Sequence, residues 1–194
     1  MAAIKVRSRR EVLERTRELR SGLRDGLERA RAGERDAALV DAIWEAEGLG
    51  VLLWALELGA IPPYDRTFEP NALLEAPLER ARLRDRAEIA HALEAARLWH
   101  WRARTSLLGT SGELELPAGW QSFAQLIAVA ALRGHERGLL PAPLRGDFPA
   151  FGSGYGALER DQQLEALSIA YERHRALSWL CNPGASWAEA PTDT

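Results

Sequence analysis

Glu172, Arg173 and His174 stand in succession within residues 171–180, a stretch whose Ala176, Leu177, Trp179 and Leu180 are typical of a helix packed into a core. A carboxylate and an imidazole are the groups most used to move protons near neutral pH. Glu172 and His174, joined by Glu45 from the first half of the chain, are therefore the candidates for acid–base work of a small hydrolase-like enzyme. An arginine does different chemistry. Its planar fork pairs bidentately with a carboxylate, so Arg173 and Arg102 are candidates for recognition together with Glu47, His100 and the ring of Trp44.

Helical pitch decides which of these point inward, because residues at i, i+4, i+7 and i+11 share a face. Glu45 falls on the face of Leu49, Leu52 and Leu56, and Glu47 on that of Val51, Trp54 and Leu58. His100 lines up with Ile89, Leu93, Ala96 and Leu107. His174 lines up with Leu167, Ala170, Tyr171, Leu177 and Cys181, and Arg173 sits over Ala166, Ile169, Ala170 and Leu180. Burying such groups alone costs several kcal/mol. They must meet one another or line a cavity. The expected arrangement is a cluster of Glu45 or Glu47 with Arg102 or Arg173, near His174. Such a cluster serves helix packing alone, a ligand pocket, or an acid–base pair, and the residues leave all three open.

Other chemistries lack their residues. Gly134-His135-Glu136-Arg137 has no second histidine for a zinc helix, and a single cysteine, Cys181, builds neither a zinc ribbon nor an iron–sulfur site. No metal and no cofactor is expected. Gly152-Ser153-Gly154-Tyr155-Gly156 follows no strand and lacks the lysine of a phosphate loop. Ser153 stands in no nucleophile elbow. Trp99-His100-Trp101-Arg102 offers rings for stacking, but tryptophans on helices usually pack.

The elements that must carry these residues read as helices. Ser8-x-x-Glu11 is a capping box, and Val12, Thr16, Leu19, Leu23 and Leu27 follow at helical spacing, which predicts a first helix over 8–30. A second, apolar on several faces, spans 35–58 with Gly59 as its C-cap, and Pro62-Pro63-Tyr64-Asp65 forms a loop. A short helix over 71–76 precedes a long one opened by Pro77 and running to 108, and 109–119 is loop. A helix over 120–137, an irregular Gly- and Pro-rich connection over 138–156, and a last helix over 158–181 complete the chain. No strand alternation and no repeat is present. The fold class is all-α: one irregular bundle of five to six helices, a single domain over 1–194, with residues 188–194 as a tail packed on the bundle. Trp187 is expected to insert against the bundle and Asp193 to pair with an arginine or a helix N-terminus.

Bulk properties narrow the setting. An apolar fraction of 46% is that of a globular chain. The longest apolar stretch, near residues 49–56, is too short to span a bilayer, and no apolar leader segment is visible, so a membrane location is not expected and a cytoplasmic one is. Net charge is −3, yet residues 1–31 hold ten basic and five acidic residues. The acids interleave with the arginines at helical spacing, which describes a salt-bridged, solvated face better than a nucleic-acid surface.

Several blocks resemble one family. Arg7-Ser8, then Trp44-Glu45-Ala46-Glu47-Gly48-Leu49-Gly50-Val51-Leu52-Leu53-Trp54-Ala55-Leu56, then Leu83-Arg84 with Ile89 and Trp101, and above all Glu172-Arg173-His174-x-Ala176-Leu177-x-Trp179-Leu180 with Trp187 and Thr192-Asp193-Thr194, are similar to the bacterial domain-of-unknown-function family DUF4272. Glu57-Leu58-Gly59 departs where that family has glycine directly after Ala-Leu, and Asp85 stands in place of its serine. The resemblance implies a soluble, mostly helical bacterial protein. It transfers no activity and no catalytic residue. The expected function is that of a non-enzymatic binding or accessory protein acting through a helical surface or small pocket, toward a protein partner or a small molecule.

Overall fold

The computed structural model describes residues 4–111 and 115–194. Six α-helices make up most of it: α1 (Arg9–Arg31), α2 (Ala37–Ala55), α3 (Pro70–Glu75), α4 (Arg86–Ser111), α5 (Phe123–Glu136) and α6 (Arg160–Cys181). The chain is an all-α bundle with α6 at its centre, packed between α2 and α4, while α1 lies along α2. Two apolar clusters fill it. Leu49, Leu52, Ile89 and Leu177 belong to one, and Trp99, Phe148, Tyr155 and Ala170 to the other, so α4 and α6 contribute to both.

Local chemistry explains the helix ends. Ser8 Oγ accepts from Glu11 N–H and the Glu11 carboxylate accepts from Ser8 N–H, closing the expected capping box. Asp36 caps α2 through Leu39 N–H at 2.8 Å. The other end of α2 differs from expectation. The helix stops at Ala55, and Glu57, not Gly59, takes the left-handed turn with φ +60°. Glu57 N–H donates to Trp54 C=O and Leu58 N–H to Leu53 C=O, the paired bonds of a Schellman ending.

Pro77 does not open the long helix. Residues Leu78–Arg80 form a single 3₁₀ turn, and α4 begins only at Arg86, where Asp85 accepts from Ala87 N–H. The reason lies in α2. Its last carbonyls lack helical partners, and Arg82 N–H and Arg84 N–H donate to Leu56 and Ala55, which holds the intervening chain extended. The far end of α4 runs to Ser111, so Gly109–Ser111, expected in a loop, are helical; residues 112–114 of that expected loop lie outside the described residues. The helix expected over 120–137 starts later, at Phe123, capped by Ser122. The connection before α6 contains a two-stranded hairpin that no alternation announced, β1 (Pro149–Ala150) against β2 (Ser153–Gly154), antiparallel with Pro149 opposite Gly154.

Three distant segments are pinned to the bundle. Arg7 donates to the carbonyls of Trp179, Asn182 and Ala185, placing a cation on the open carbonyls at the α6 C-terminus. The Phe68 ring fits against Gly50, where a Cβ would lie 2.4 Å from it. Trp187 fits against Gly48, with a would-be Cβ 2.9 Å from its ring, and meets Trp179 edge-on at 5.5 Å between centroids. Asp193 is exposed and makes no ion pair among the described residues. Beside it, Arg104 donates to Thr194 Oγ1 at 3.5 Å.

Candidate functional site

The candidates from the sequence separate into three clusters and one cleft. The first cluster is sealed. Arg173 has no exposure and Glu47 only 2%, and they pair at 2.8 Å. The remaining Arg173 donors reach the carbonyls of Pro62 (2.7 Å), Pro63 (3.2 Å) and Arg66 (2.6 Å), while Glu47 Oε1 accepts from Phe68 N–H at 2.8 Å. The guanidinium also lies over the rings of Tyr64 and Phe68, and Tyr64 stacks on Trp99. Every donor of this arginine is occupied. The pair joins α2 and α6 to the 62–68 loop and leaves no atom for a ligand.

Arg102, expected near Glu45 or Glu47, holds the hairpin connection instead. It meets Asp147 through Nε and Nη2, each at 2.7 Å, and lies 4.7 Å over the Tyr155 ring. Burial alone would raise the Asp147 carboxyl, but the Arg102 hydrogen bonds and charge, with the N–H groups of Gly156 and Phe148, hold it below the usual range.

The histidines form the third cluster. His100 Nδ1 and His174 Nδ1 lie 3.0 Å apart across α4 and α6, both rings being buried. One must donate and the other accept, so at least one is neutral. Burial pushes both down, His100 to about 4, with Arg104 adding to it, and His174 to about 3, with His100 and Arg97 adding. Both are therefore uncharged at neutral pH. Nε2 of His174 is buried without a hydrogen-bond partner. His174 thus sits against His100 and not against a carboxylate, which removes the pairing expected of a Glu/His acid–base couple.

Glu45, Trp44 and Glu172 do come together. With Asp41 they line a cleft of about 400 Å³ between α2 and α6, to which α6 adds Ser168, Tyr171 and Arg175. The spacing is the reason. Asp41, Trp44 and Glu45 stand at i, i+3 and i+4, and Ser168, Tyr171, Glu172 and Arg175 at i, i+3, i+4 and i+7, so each helix turns one stripe toward the gap. Asp41 and Tyr171 are exposed at its mouth and Glu172 is buried at its wall. Arg175 Nη2 lies 2.6 Å from Glu172 Oε2 and 3.7 Å from Glu45 Oε1. The closer contact is an ion pair off the line of a hydrogen bond, and Glu172 Oε2 and the Arg175 Nε and Nη2 are buried without a well-directed partner. Burial pushes the Glu172 carboxyl up to about 7; Arg175 opposes this, and Glu45 and Glu47 add to it. Asp41, Ser168, Tyr171 and Arg175 were not singled out from the sequence for this cleft. The two stripes were there to be read, but nothing in a single chain says that they face each other.

A second cavity of about 420 Å³ lies on the other side of Tyr171, lined by His100, Arg104, Leu167 and the tail residues Thr192 and Asp193 among others. On α1, Arg10, Arg17, Arg24 and Arg31 recur on the exposed side, with Glu14, Glu18, Asp25 and Glu28 set among them. Arg10 pairs with Glu14 at 3.8 Å and Arg15 with Glu18 at 3.0 Å. Among the described residues no group of acids, histidines and cysteines converges as metal ligands, and no helix is long and apolar enough to cross a membrane. Compared with known protein families, with curated proteins and with solved structures, the chain matches none.

Proposed function

We propose that this chain is a non-enzymatic binding protein whose site is the cleft between α2 and α6. One observation carries the reading. Glu172 is buried at the wall of an open, aromatic-lined space, and its Oε2 and the Arg175 Nη2 beside it each lack a well-directed hydrogen bond, whereas Glu47–Arg173 and Arg102–Asp147 close on themselves. A buried polar group left unpaired in a native fold calls for an occupant or a role. The cleft volume falls within the range of small-molecule sites, about 300–1,000 Å³.

A second reading, acid–base chemistry, is favoured by the Glu172 carboxyl standing at about 7, where an acid or base works best at neutral pH. Glu45 would be its neighbour, and His174 would not. A nucleic-acid role for α1 is disfavoured by the acids beside its arginines. A cytoplasmic bacterial setting rests on the single cysteine and on the family resemblance, and a protein partner would meet the exposed Val40, Ile43 and Leu164 on the same two helices.

The test is a screen of small neutral, anionic and cationic molecules, followed through the Trp44 indole N–H in ¹H–¹⁵N spectra, beside a cleft-filling Ser168→Trp variant. Binders are expected to shift the Trp44 signal in the native chain and to lose that effect in the variant. Silence of Trp44 toward every charge class would end the binding reading.

A further inference from the structure

Among the described residues three places stand out as candidate sites: the α2–α6 cleft, the orphan Nε2 of His174, and the tail-capped cavity beside His100. The histidine nitrogen is enclosed, and the tail cavity, which sets Arg104 and Asp193 beside an imidazole already shared, has no buried polar atom without a partner among its lining residues. The cleft carries an inference about its occupant, and this rests on the reading of it as a binding site.

We propose that the cleft takes an organic cation, with a primary ammonium or guanidinium head seated among Glu172, Glu45 and Asp41 and its body against Trp44 and Tyr171. Charge is the first argument. Three carboxylates face one guanidinium. Arg175 is shared between Glu172 and Glu45, and Asp41 has no ion pair among the described residues. The cleft is thus left with an excess of acidic groups, which disfavours an anion and favours a donor that also carries positive charge over a neutral one.

Geometry is the second argument. Glu172 is 8% exposed and lines the cleft, and its Oε2, held to Arg175 only by an ion pair, accepts no well-directed hydrogen bond among the described residues. An ammonium or guanidinium supplies the missing donors in their strongest, charge-assisted form. The walls fit the same chemistry, since a cation over a tryptophan or tyrosine face is attracted by the ring. The protein's own Arg175 already shows this affinity, with its guanidinium 5.9 Å from the Tyr171 centroid and 5.1 Å from that of Trp187. A bare metal ion is a poorer match, because no three ligating groups converge among the described residues.

The groups facing Glu172 are Arg175 on its own helix and Glu45 and Glu47 on α2. A cation bound beside it favours the ionised form, so binding releases a proton near pH 7 and tightens as pH rises through that value.

The experiment titrates the intact chain by calorimetry with agmatine and putrescine, with the neutral isostere 1,4-butanediol, with the dianion succinate, and with a short lysine-containing peptide. It is repeated for Glu172→Gln and for Asp41→Asn, whose exposed position spares the fold. Agmatine or putrescine is expected to bind, to lose about tenfold or more in affinity in Glu172→Gln, and to release protons at pH 7. Binding of the peptide alone would keep the cationic head and assign it to a basic side chain of a partner. Butanediol or succinate binding as well as the cations, or an affinity unchanged in both variants, would overturn the proposal while leaving the cleft a binding site. If no probe of any charge gives heat or shifts Trp44, the binding reading falls with it.

Discussion

At the scale of single residues, the arginines decide which polar groups are structural. Arg173 shows the pattern. Its guanidinium meets one carboxylate and three carbonyls with no exposure, so its removal strands a buried charge together with loop carbonyls. Arg173→Met is expected to cost about 3–5 kcal/mol in urea unfolding. Arg173→Lys should recover only part of this, because a single ammonium does not span the carboxylate and all three carbonyls. A loss below about 1 kcal/mol for the methionine variant would show that the pair does not hold the loop. Sequence reasoning placed Glu47 and Arg173 inward by pitch, and they are inward. It joined Arg102 to the same cluster, where the structure gives Arg102 its own partner, Asp147, from a Gly- and Pro-rich segment without periodicity. No spacing rule reaches from a helix to such a segment, so Asp147 was not legible.

At the scale of elements, the contacts of α2 explain why an apolar helix carries two glycines in its core. Gly48 and Gly50 have ordinary helical backbone and are there for space, one for Trp187 and one for Phe68. The tail is docked through that slot. Trp187 is 9% exposed, with the Arg15 guanidinium 4.5 Å over its ring. Trp187→Ala is expected to cost about 3–5 kcal/mol. Gly48→Ala should destabilise the native chain through a clash with the ring. In the Trp187→Ala background it should become neutral or stabilising, by up to about 1 kcal/mol, because alanine is the better helix former. Melting temperatures of the four proteins test this, and the same sign for Gly48→Ala in both backgrounds would disprove the docking. The tryptophan anchor was readable from its place after Asn182-Pro183-Gly184. Its slot was not, because a glycine inside a helix reads only as a weakness until a ring is found against it.

At the scale of the whole molecule, the buried titratable groups set how stability responds to pH, and they pull in opposite directions. His100 and His174 are held at about 4 and about 3 in the folded chain. Below about 6.5 the unfolded chain binds protons that the folded chain refuses, so their contribution is lost as pH falls from there toward 4. Glu172, raised to about 7, acts the other way: the folded chain holds its proton more tightly, and stability falls as pH rises from the ordinary carboxyl value through 7. The two histidines pull against the raised carboxyls of Glu172 and Glu47, so the native chain should lose stability on acidification between about 6.5 and 4.5, by no more than about 1.4 kcal/mol per pH unit. Replacing both rings, as His100→Phe with His174→Leu, leaves the raised carboxyls of Glu172 and Glu47 and should reverse the sign over that interval. Urea unfolding at a series of pH values reads this directly, and an unchanged acid slope would show that the rings are not the titrating groups.

The sequence alone determined the all-α class, most of the helices and the inward placing of Glu47, His100, Arg173 and His174, whereas Glu45 and Tyr171, set on core faces by the same pitch, stand at the open cleft. What it determined follows from local periodicity and capping, which act within a few residues along the chain. The tertiary structure decided the partners. His174 met His100 and not a carboxylate, Arg173 took Glu47, Arg102 took Asp147, and α2 and α6 turned two unremarked stripes toward a common cleft. Those choices depend on how helices far apart in sequence are placed against one another, and a buried charge accepts whichever partner that packing brings within reach.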